Sequence, residues 1–496
     1  MIQTYSLPCY FFLSVLTLFL MASCGTSDEI RTVEAPPRTT AERTPAEADT
    51  AEQFMEISVG LIDPVDNLDP LFANNLSSLR VISLIYDGLF TLDKNGEVVN
   101  TIAANISVAD DSLTYTVKIN TDLFYHDNTA FMSGVGRRVQ ASDIKWVFER
   151  TARANVPPQA SELLMNISGY EDYFEDQRKI YDPERRTLDG VSGIIVEDSQ
   201  TIRFQLTDPD PQFQRKLASP YLYIYPREAV REQGHSLKSN PAGTGAYQFQ
   251  NRTDNTIVLS RASSDRDGDP LTEPRLNRID FVIYSSESQL FQDFARGNLN
   301  WIPEVGPETK RVAFTADGEL TEGYRDIYSV ASSGSRQIDF YVNDTRRVNM
   351  AWLNNRLADF DPDSVNAADE ITVHQSPEPV DPEEAGEADS YYLVTFTSDL
   401  FARSLLVKLQ EKYLDPDSEF RLSDLRTPVS RSAIYTRNHD SFHYSLIPRD
   451  REPWFTYNSP IYGLYYNNID GIESNTVPWK LFVEQIGVKE INGDRQ

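Results

Sequence analysis

Residues 107–150 read SVADDSLTYTVKINTDLFYHDNTAFMSGVGRRVQASDIKWVFER, and this stretch decides the fold. Residues 113–119 alternate apolar and polar side chains, which predicts a strand with one buried face. Residues 123–128 are an aromatic run that ends in a turn dipeptide, and they predict a second short strand. Ser142 is expected as the N-cap of a helix over 143–151, whose apolar residues recur on one face. Together these pieces predict a strand, turn, strand, loop and capped helix.

This order of elements resembles the signature of the family 5 extracellular solute-binding proteins, the peptide/nickel class of ABC-transporter receptors. The residues that match within the stretch are Asp111, LTYTVK at 113–118, Phe124, His126-Asp127 and ASDI at 141–144. The chain departs from the family pattern at Asn128, where the family has Gly, and at residues 119–120. An insertion rich in Gly and Arg also separates the turn from the helix.

Further motifs resemble the same family in the same order along the chain. They are LDP at 68–70, a predicted helix over 79–89 that ends in YDGL, a hairpin over 92–97, NPAGTGAYQF at 240–249, EPRLNRIDFV at 273–282, and a helix and strand over 288–301. Asn95-Gly96 in the hairpin predicts a type I′ turn. The match covers about residues 57–301, and no single motif in it is decisive alone.

Gly243 and Gly245 are predicted to form a structural loop. Glycine permits either a positive φ or a close approach of two backbones, and we favour a crossing between lobes. A phosphate cradle is the alternative, but no helix N-terminus with a lysine follows the loop.

The resemblance implies an α/β fold of the periplasmic-binding-protein type II, with two lobes of mixed sheets and helices. An extra N-terminal subdomain and a reduced second lobe are expected, because residues 340–389 lack the family's usual helical segment. The expected boundaries are a first lobe at 54–337 with an inserted subdomain at about 100–235, a second lobe at 338–450, and a return to the first lobe at 451–496.

The N-terminus predicts export and a lipid anchor. Residues 7–20 form an apolar run of signal-peptide length, and LMASCG at 20–25 resembles a bacterial lipobox. We therefore expect a signal peptide at 1–23, lipidation of Cys24, and a disordered tether at 24–53, which is rich in Pro, Thr, Ala and Glu. An ordinary signal peptide remains the alternative, because residues 1–6 contain no Lys or Arg.

Composition restricts the partners. The net charge of −29 argues against nucleic acid and anionic membrane surfaces as partners. Cys9 lies in the predicted signal peptide, so the mature chain has no internal disulfide and depends on a large core.

No catalytic residue, metal ligand or cofactor is predicted. His439 and His443 are four residues apart, as metal ligands on a helix are, but their surroundings favour a strand. Residues 264–269 miss the spacing of a calcium loop, and no Gly-x-Ser-x-Gly motif indicates a hydrolase.

The resemblance implies the substrate-binding component of an ABC importer, a monomer whose partners are short peptides or other small solutes and an ABC permease complex. It would lie outside the inner membrane, in the periplasm or at the cell surface. The family's peptide-binding acidic residue lies in the second lobe, where the chain departs, so no ligand-binding residue is predicted. The alternatives are an envelope lipoprotein that has kept the scaffold without transport, and a secreted hydrolase.

Overall fold

The computed structural model describes residues 55–180, 182–234, 237–262, 274–315, 318–342, 370–373, 392–394, 421–423, 434–438 and 455–488. These residues all belong to one unit, Phe54–Gln496. The predicted signal peptide, tether and lipidation site therefore lie outside the described residues. The same holds for residues 264–269 and for most of the predicted second lobe.

The helices and strands follow one another along the whole described chain. The strands are β1 (Glu56–Leu61), β2 (Phe90–Leu92), β3 (Val98–Asn100), β4 (Ala103–Val108), β5 (Thr114–Ile119), β6 (Ile194–Val196), β7 (Thr201–Gln205), β8 (Tyr247–Arg252), β9 (Thr256–Arg261), β10 (Arg278–Ile283), β11 (Trp301–Ile302), β12 (Tyr328–Val342), β13 (Glu370–Val373), β14 (Tyr392–Val394), β15 (Arg421–Ser423), β16 (Ile434–Asn438), β17 (Phe455–Tyr466), β18 (Ile469–Asp470) and β19 (Gly487–Val488). The helices are α1 (Leu76–Ile85), α2 (Ala141–Arg150), α3 (Gln159–Glu162), α4 (Tyr170–Lys179), α5 (Phe213–Lys216), α6 (Arg227–Glu232), α7 (Glu287–Ala295), α8 (Pro307–Ala313) and α9 (Glu322–Arg325).

A large mixed sheet forms the centre of the described structure. Its strand order is β15-β14-β16-β12-β17-β11-β1-β10-β9-β8, and β13 also pairs with β17. β1 is parallel to both β10 and β11, and apolar side chains such as Ile57 and Phe281 are buried in the core. Because parallel strands are usually covered on both faces, this part of the sheet is a buried core.

The two longest strands, β12 and β17, form an antiparallel ribbon. Their register runs from Tyr328 opposite Tyr466 to Phe340 opposite Phe455, with an irregularity between Ser332 and Ser335. β12 leads toward residue 343 and β17 returns from residue 454, so the ribbon connects the first part of the chain to the segment between them.

A second, four-stranded antiparallel sheet has the order β4-β5-β7-β6 and contains the deciding stretch. The predicted strand at 113–119 is present as β5, with Tyr115, Val117 and Ile119 buried. The predicted helix is present as α2, but it begins at Ala141 and its N-cap is Gln140 rather than Ser142. Asp143 determines this start, because its carboxylate accepts a hydrogen bond from the Gln140 N–H at 3.1 Å.

The second strand predicted at 123–128 is wrong. Within the described residues, Phe124 makes only an isolated bridge to Arg138. The Tyr125 N–H donates to the Arg137 carbonyl and the Val139 N–H donates to the Leu123 carbonyl, and these two hydrogen bonds form that bridge. The pairing stops at the next residue, because the His126 N–H donates to the Gly243 carbonyl instead.

The predicted hairpin is present as β2 and β3, but its turn is not type I′. Gly96 has a φ of +81°, whereas Asn95 does not have a positive φ, and a type I′ turn requires both. The Asp93 carboxylate accepts hydrogen bonds from the Asn95 and Glu97 N–H groups, each at 2.9 Å. This side chain stabilises a longer turn with glycine at the single left-handed position.

Helix α1 begins and ends earlier than predicted. Asn75 caps it, because its side-chain oxygen accepts a hydrogen bond from the Ser78 N–H at 2.8 Å. The helix ends at Ile85, since Tyr86 is extended with a φ of −125° and a ψ of 155°. The YDGL motif therefore follows the helix rather than forming its last turn.

Candidate functional site

The motifs that carry the resemblance contact one another in the core. The His126 Nε2 lies 2.7 Å from the Gly245 carbonyl oxygen, and the Gly243 N–H donates to His126 Nδ1 at 3.4 Å. Because a carbonyl only accepts, this arrangement assigns the hydrogen to Nε2 and leaves Nδ1 as the acceptor. The imidazole thus joins the second half of the deciding stretch to the glycine loop.

Gly243 and Gly245 lie against the last turn of α1. A Cβ on Gly243 would lie 1.9 Å from the Ile85 carbonyl oxygen, and one on Gly245 would lie 2.4 Å from the Leu84 carbonyl oxygen. Neither glycine has a positive φ. The structural role of this loop remains a prediction. The close approach of its backbone to the end of α1 explains why glycine is needed at both positions.

Two carboxylates link the remaining motifs, one from the buried Asp69 and one from the half-buried Asp87. The Asp69 carboxylate of LDP forms a two-point ion pair with Arg150 at 3.0 and 2.6 Å, and Arg150 also donates to the Tyr225 hydroxyl at 2.6 Å. Burial opposes the charge of Arg150, but Tyr225 and Asp69 outweigh it and raise the pKa of that guanidinium. The second carboxylate, Asp87 of YDGL, accepts from the Thr244 hydroxyl at 2.9 Å. These contacts between motifs hold the fold together.

A different group of polar side chains lies where the β12–β17 ribbon leaves the rest of the sheet. Glu304 follows β11, and its two carboxylate oxygens accept from Arg80 Nη1 at 2.9 Å and from Arg336 Nη2 at 2.6 Å. All three side chains are at most 4% exposed. We call Arg80, Glu304, Lys310 and Arg336 the Glu304 cluster.

The charges of the Glu304 cluster keep its carboxylate ionised. Burial would raise the pKa of Glu304, but the Arg336 and Arg80 charges outweigh burial and hold that pKa below its usual value. Lys310 contributes a third positive charge, and its ammonium donates to the Ser459 hydroxyl at 2.7 Å and the Pro460 carbonyl at 2.6 Å.

The cluster fixes both strands of the ribbon to the rest of the protein. Arg336 belongs to β12 and is tied through Glu304 to Arg80 on α1, while Lys310 on α8 is tied to β17. Farther along the ribbon, the Thr456 hydroxyl donates to the Asp339 carboxylate at 2.7 Å and connects the two strands. The Glu304 cluster is therefore the candidate site, because it holds the β12–β17 ribbon against α1 and α8.

Sequence reasoning did not find the Glu304 cluster. Arg80 is the one charged residue of α1, and Glu304 follows a buried strand. A charged residue inside an apolar pattern is a signal that it has a buried partner, but the sequence does not show which partner it has.

The other residues considered in the sequence cannot be placed. Cys24, His439 and His443 lie outside the described residues. Among the residues that the structure describes, no group of three or more His, Cys, Asp or Glu side chains could hold a metal ion.

The arrangement of sheets and helices is shared with solved structures of binding proteins. DppA from Helicobacter pylori in complex with the peptide STSA is 13% identical, with a TM-score of 0.65 over 88% of this chain and 98% of that chain. The murein tripeptide-binding protein MppA of Escherichia coli is 14% identical, with a TM-score of 0.64 over 88% of this chain and 99% of that chain. The chain has the mixed α/β fold of type II periplasmic binding proteins, as the sequence predicted.

The family assignment rests on sequence. The family model described as "Bacterial extracellular solute-binding proteins, family 5 Middle" matches residues 97–370, more than half of the chain. The glutathione-binding protein GsiB of Salmonella typhimurium strain LT2 is 28% identical over 189 residues, which are 38% of this chain and 31% of that protein. The match thus spans about a third of this curated relative. This chain belongs to the family 5 bacterial extracellular solute-binding proteins, which confirms the resemblance.

Nothing in the described part of the chain is a candidate membrane span, since its helices are too short or too polar to cross a bilayer.

Proposed function

We propose that this protein is the substrate-binding component of an ABC importer, which captures short peptides or similar solutes outside the inner membrane and delivers them to a permease. The family match over residues 97–370 carries the proposal. Proteins with the same fold include one in complex with the peptide STSA, and a partial relative is a glutathione-binding protein. The chain acts by binding, without catalysis.

The proposed mechanism is closure of two lobes on the ligand. The first lobe comprises most of the described residues, the second lies between β12 and β17, and the ribbon connects them. Binding energy offsets the cost of closure. Backbone groups at strand edges hold an extended peptide by main-chain hydrogen bonds, while its side chains occupy wet pockets, which favours broad specificity.

The proposed location follows from the N-terminus. A lipid on Cys24 anchors the protein at the membrane surface, the tether at 24–53 spaces the folded part from the bilayer, and the protein works as a monomer beside its permease. The bilayer retains such a protein stably when two or more acyl chains are attached.

The experiment is isothermal titration of the mature protein with di- to pentapeptides and glutathione. We expect saturable heat at about micromolar dissociation constants or weaker, because a reduced second lobe desolvates less ligand. The matched control is each peptide with an acetylated N-terminus and an amidated C-terminus. Absence of heat with every ligand, in a sample with a cooperative melting transition, would contradict the proposal and favour a scaffold lipoprotein without transport.

A further inference from the structure

A cavity separate from the Glu304 cluster lies between three segments of the first lobe. Its volume is about 550 Å³, and it is bounded by the end of α1, the β2–β3 hairpin and residues 480–485. This volume lies within the range of about 300 to 1,000 Å³ that is typical of small-molecule sites. Its walls include Ser83, Asp87, Thr91, Tyr223, Lys480 and Phe482.

The charged side chains that line this cavity are Asp87, Asp93, Lys94, Lys480 and Glu484. Of these, Asp87 and Lys480 carry opposite charges and form no ion pair with each other. The Asp87 carboxylate accepts from the Thr244 hydroxyl through Oδ2. The Lys480 ammonium donates to the Thr91 hydroxyl at 2.9 Å and to the Leu92 carbonyl at 3.2 Å. These hydrogen bonds leave one oxygen of the carboxylate and one N–H of the ammonium for another partner.

Asp87 and Lys480 are both half-buried, and desolvation opposes the charge of each. Burial raises the pKa of Asp87 despite the hydrogen bond from Thr244 and the attraction of Lys480. Burial likewise lowers the pKa of Lys480, although Glu484 and Asp87 attract its charge. A group of opposite charge brought next to either side chain would compensate for its lost solvation.

We propose that this cavity binds a small zwitterion of amino-acid size, with its ammonium group against Asp87 and its carboxylate against Lys480. The Phe482 ring lies 5.0 Å from the Lys480 ammonium and, with Tyr223, supplies apolar surface for the carbon chain between the two ends. This site is additional to the peptide site proposed between the lobes, because none of its walls belongs to the Glu304 cluster or to the ribbon.

The test uses titration calorimetry with glycine, β-alanine and γ-aminobutyrate as probes, and butylamine and butyrate as controls with a single charge. We expect at least one zwitterion to bind 10-fold or more tightly than both controls. Asp87→Asn and Lys480→Met should each weaken it 10-fold or more. Glu319→Gln, which removes an exposed carboxylate paired with Arg325 outside the cavity, should leave the affinity unchanged.

A variant that fills the cavity tests the site without changing its charged residues. Ser83→Trp places a large side chain in the cavity and leaves Asp87 and Lys480 in place, and it should abolish zwitterion binding. Binding should persist in the presence of a saturating peptide, so failure of this proposal is distinguishable from failure of the peptide site. Equal affinity for butylamine, butyrate and the zwitterions, binding unaltered by Ser83→Trp, or no heat with any probe would overturn the proposal.

Discussion

The substitution Glu304→Gln tests whether the Glu304 cluster stabilises the fold. It preserves the shape of the side chain but removes the negative charge between Arg80 and Arg336, whose side chains are 2% and 4% exposed. Because solvent does not reach these guanidinium groups, their charges stay buried without compensation. Removing one partner of a buried ion pair costs about 3–5 kcal/mol, and we expect this loss in the free energy of unfolding at pH 7.

Urea denaturation followed by tryptophan fluorescence and far-ultraviolet circular dichroism measures this loss. Glu473→Gln is the matched control, since the Glu473 side chain is 59% exposed, and solvent screening limits its effect to about 0.5 kcal/mol. If Glu304→Gln changed stability no more than this control does, the ion pairs would not stabilise the fold and the reasoning would be wrong.

The effect of Glu304→Gln on stability should also depend on pH. The pKa of Glu304 is lowered in the folded protein from its ordinary value of 4.5. A lowered folded-state pKa contributes stability that is fully present above the unfolded-state pKa and is lost as pH falls through the folded-state pKa. The stability difference between the native chain and Glu304→Gln should therefore be constant near neutral pH and become smaller as pH falls below about 4.5. A difference that widened over this acidic range would contradict the lowered pKa.

Three further predictions concern other parts of the chain. Gly243→Ala should destabilise the protein by about 3 kcal/mol or more in thermal unfolding, because the added Cβ would overlap the Ile85 carbonyl oxygen. Gly323→Ala should be nearly neutral, because no atom lies within 4 Å of its added Cβ. Equal melting temperatures for the two variants would refute the steric argument. Cys24→Ser should release the protein from the membrane or leave its precursor uncleaved; incorporation of labelled fatty acid into the variant would contradict the lipid anchor. Basic peptides should bind more tightly than acidic ones and lose affinity as salt rises, because the net charge of −29 attracts cations and ions screen it; titration calorimetry that finds tight binding of an acidic peptide would show that local charge dominates.

The sequence predicted those elements whose signal is local. Period-two alternation predicted β5, and the order of motifs predicted the fold. The local rules failed where a side chain forms a hydrogen bond with the backbone. The Asp143 carboxylate bonds to the Gln140 N–H, so α2 begins earlier than predicted. The Asp93 carboxylate bonds to the Asn95 N–H and stabilises a turn longer than type I′.

The candidate site was not predictable because its partners are distant in sequence. Arg80 and Glu304 are 224 residues apart, and Arg336 is 32 residues from Glu304. No propensity or spacing rule pairs one charged residue with another over such separations. The pairing of Asp87 and Lys480 in one cavity was unpredictable for the same reason, since only the folded chain brings the end of α1 beside residues 480–485.

The contacts of His126 with the glycine loop have a practical consequence for protein engineering. Both partners precede β12 in the chain. A chimaera that exchanges residues 343–454 for the corresponding segment of a relative would keep both partners of these hydrogen bonds. Junctions within the ribbon, beyond Arg336 on one strand and before Ser459 on the other, would leave the Glu304 cluster intact. If the proposed binding between two lobes holds, such an exchange would carry ligand preference with it.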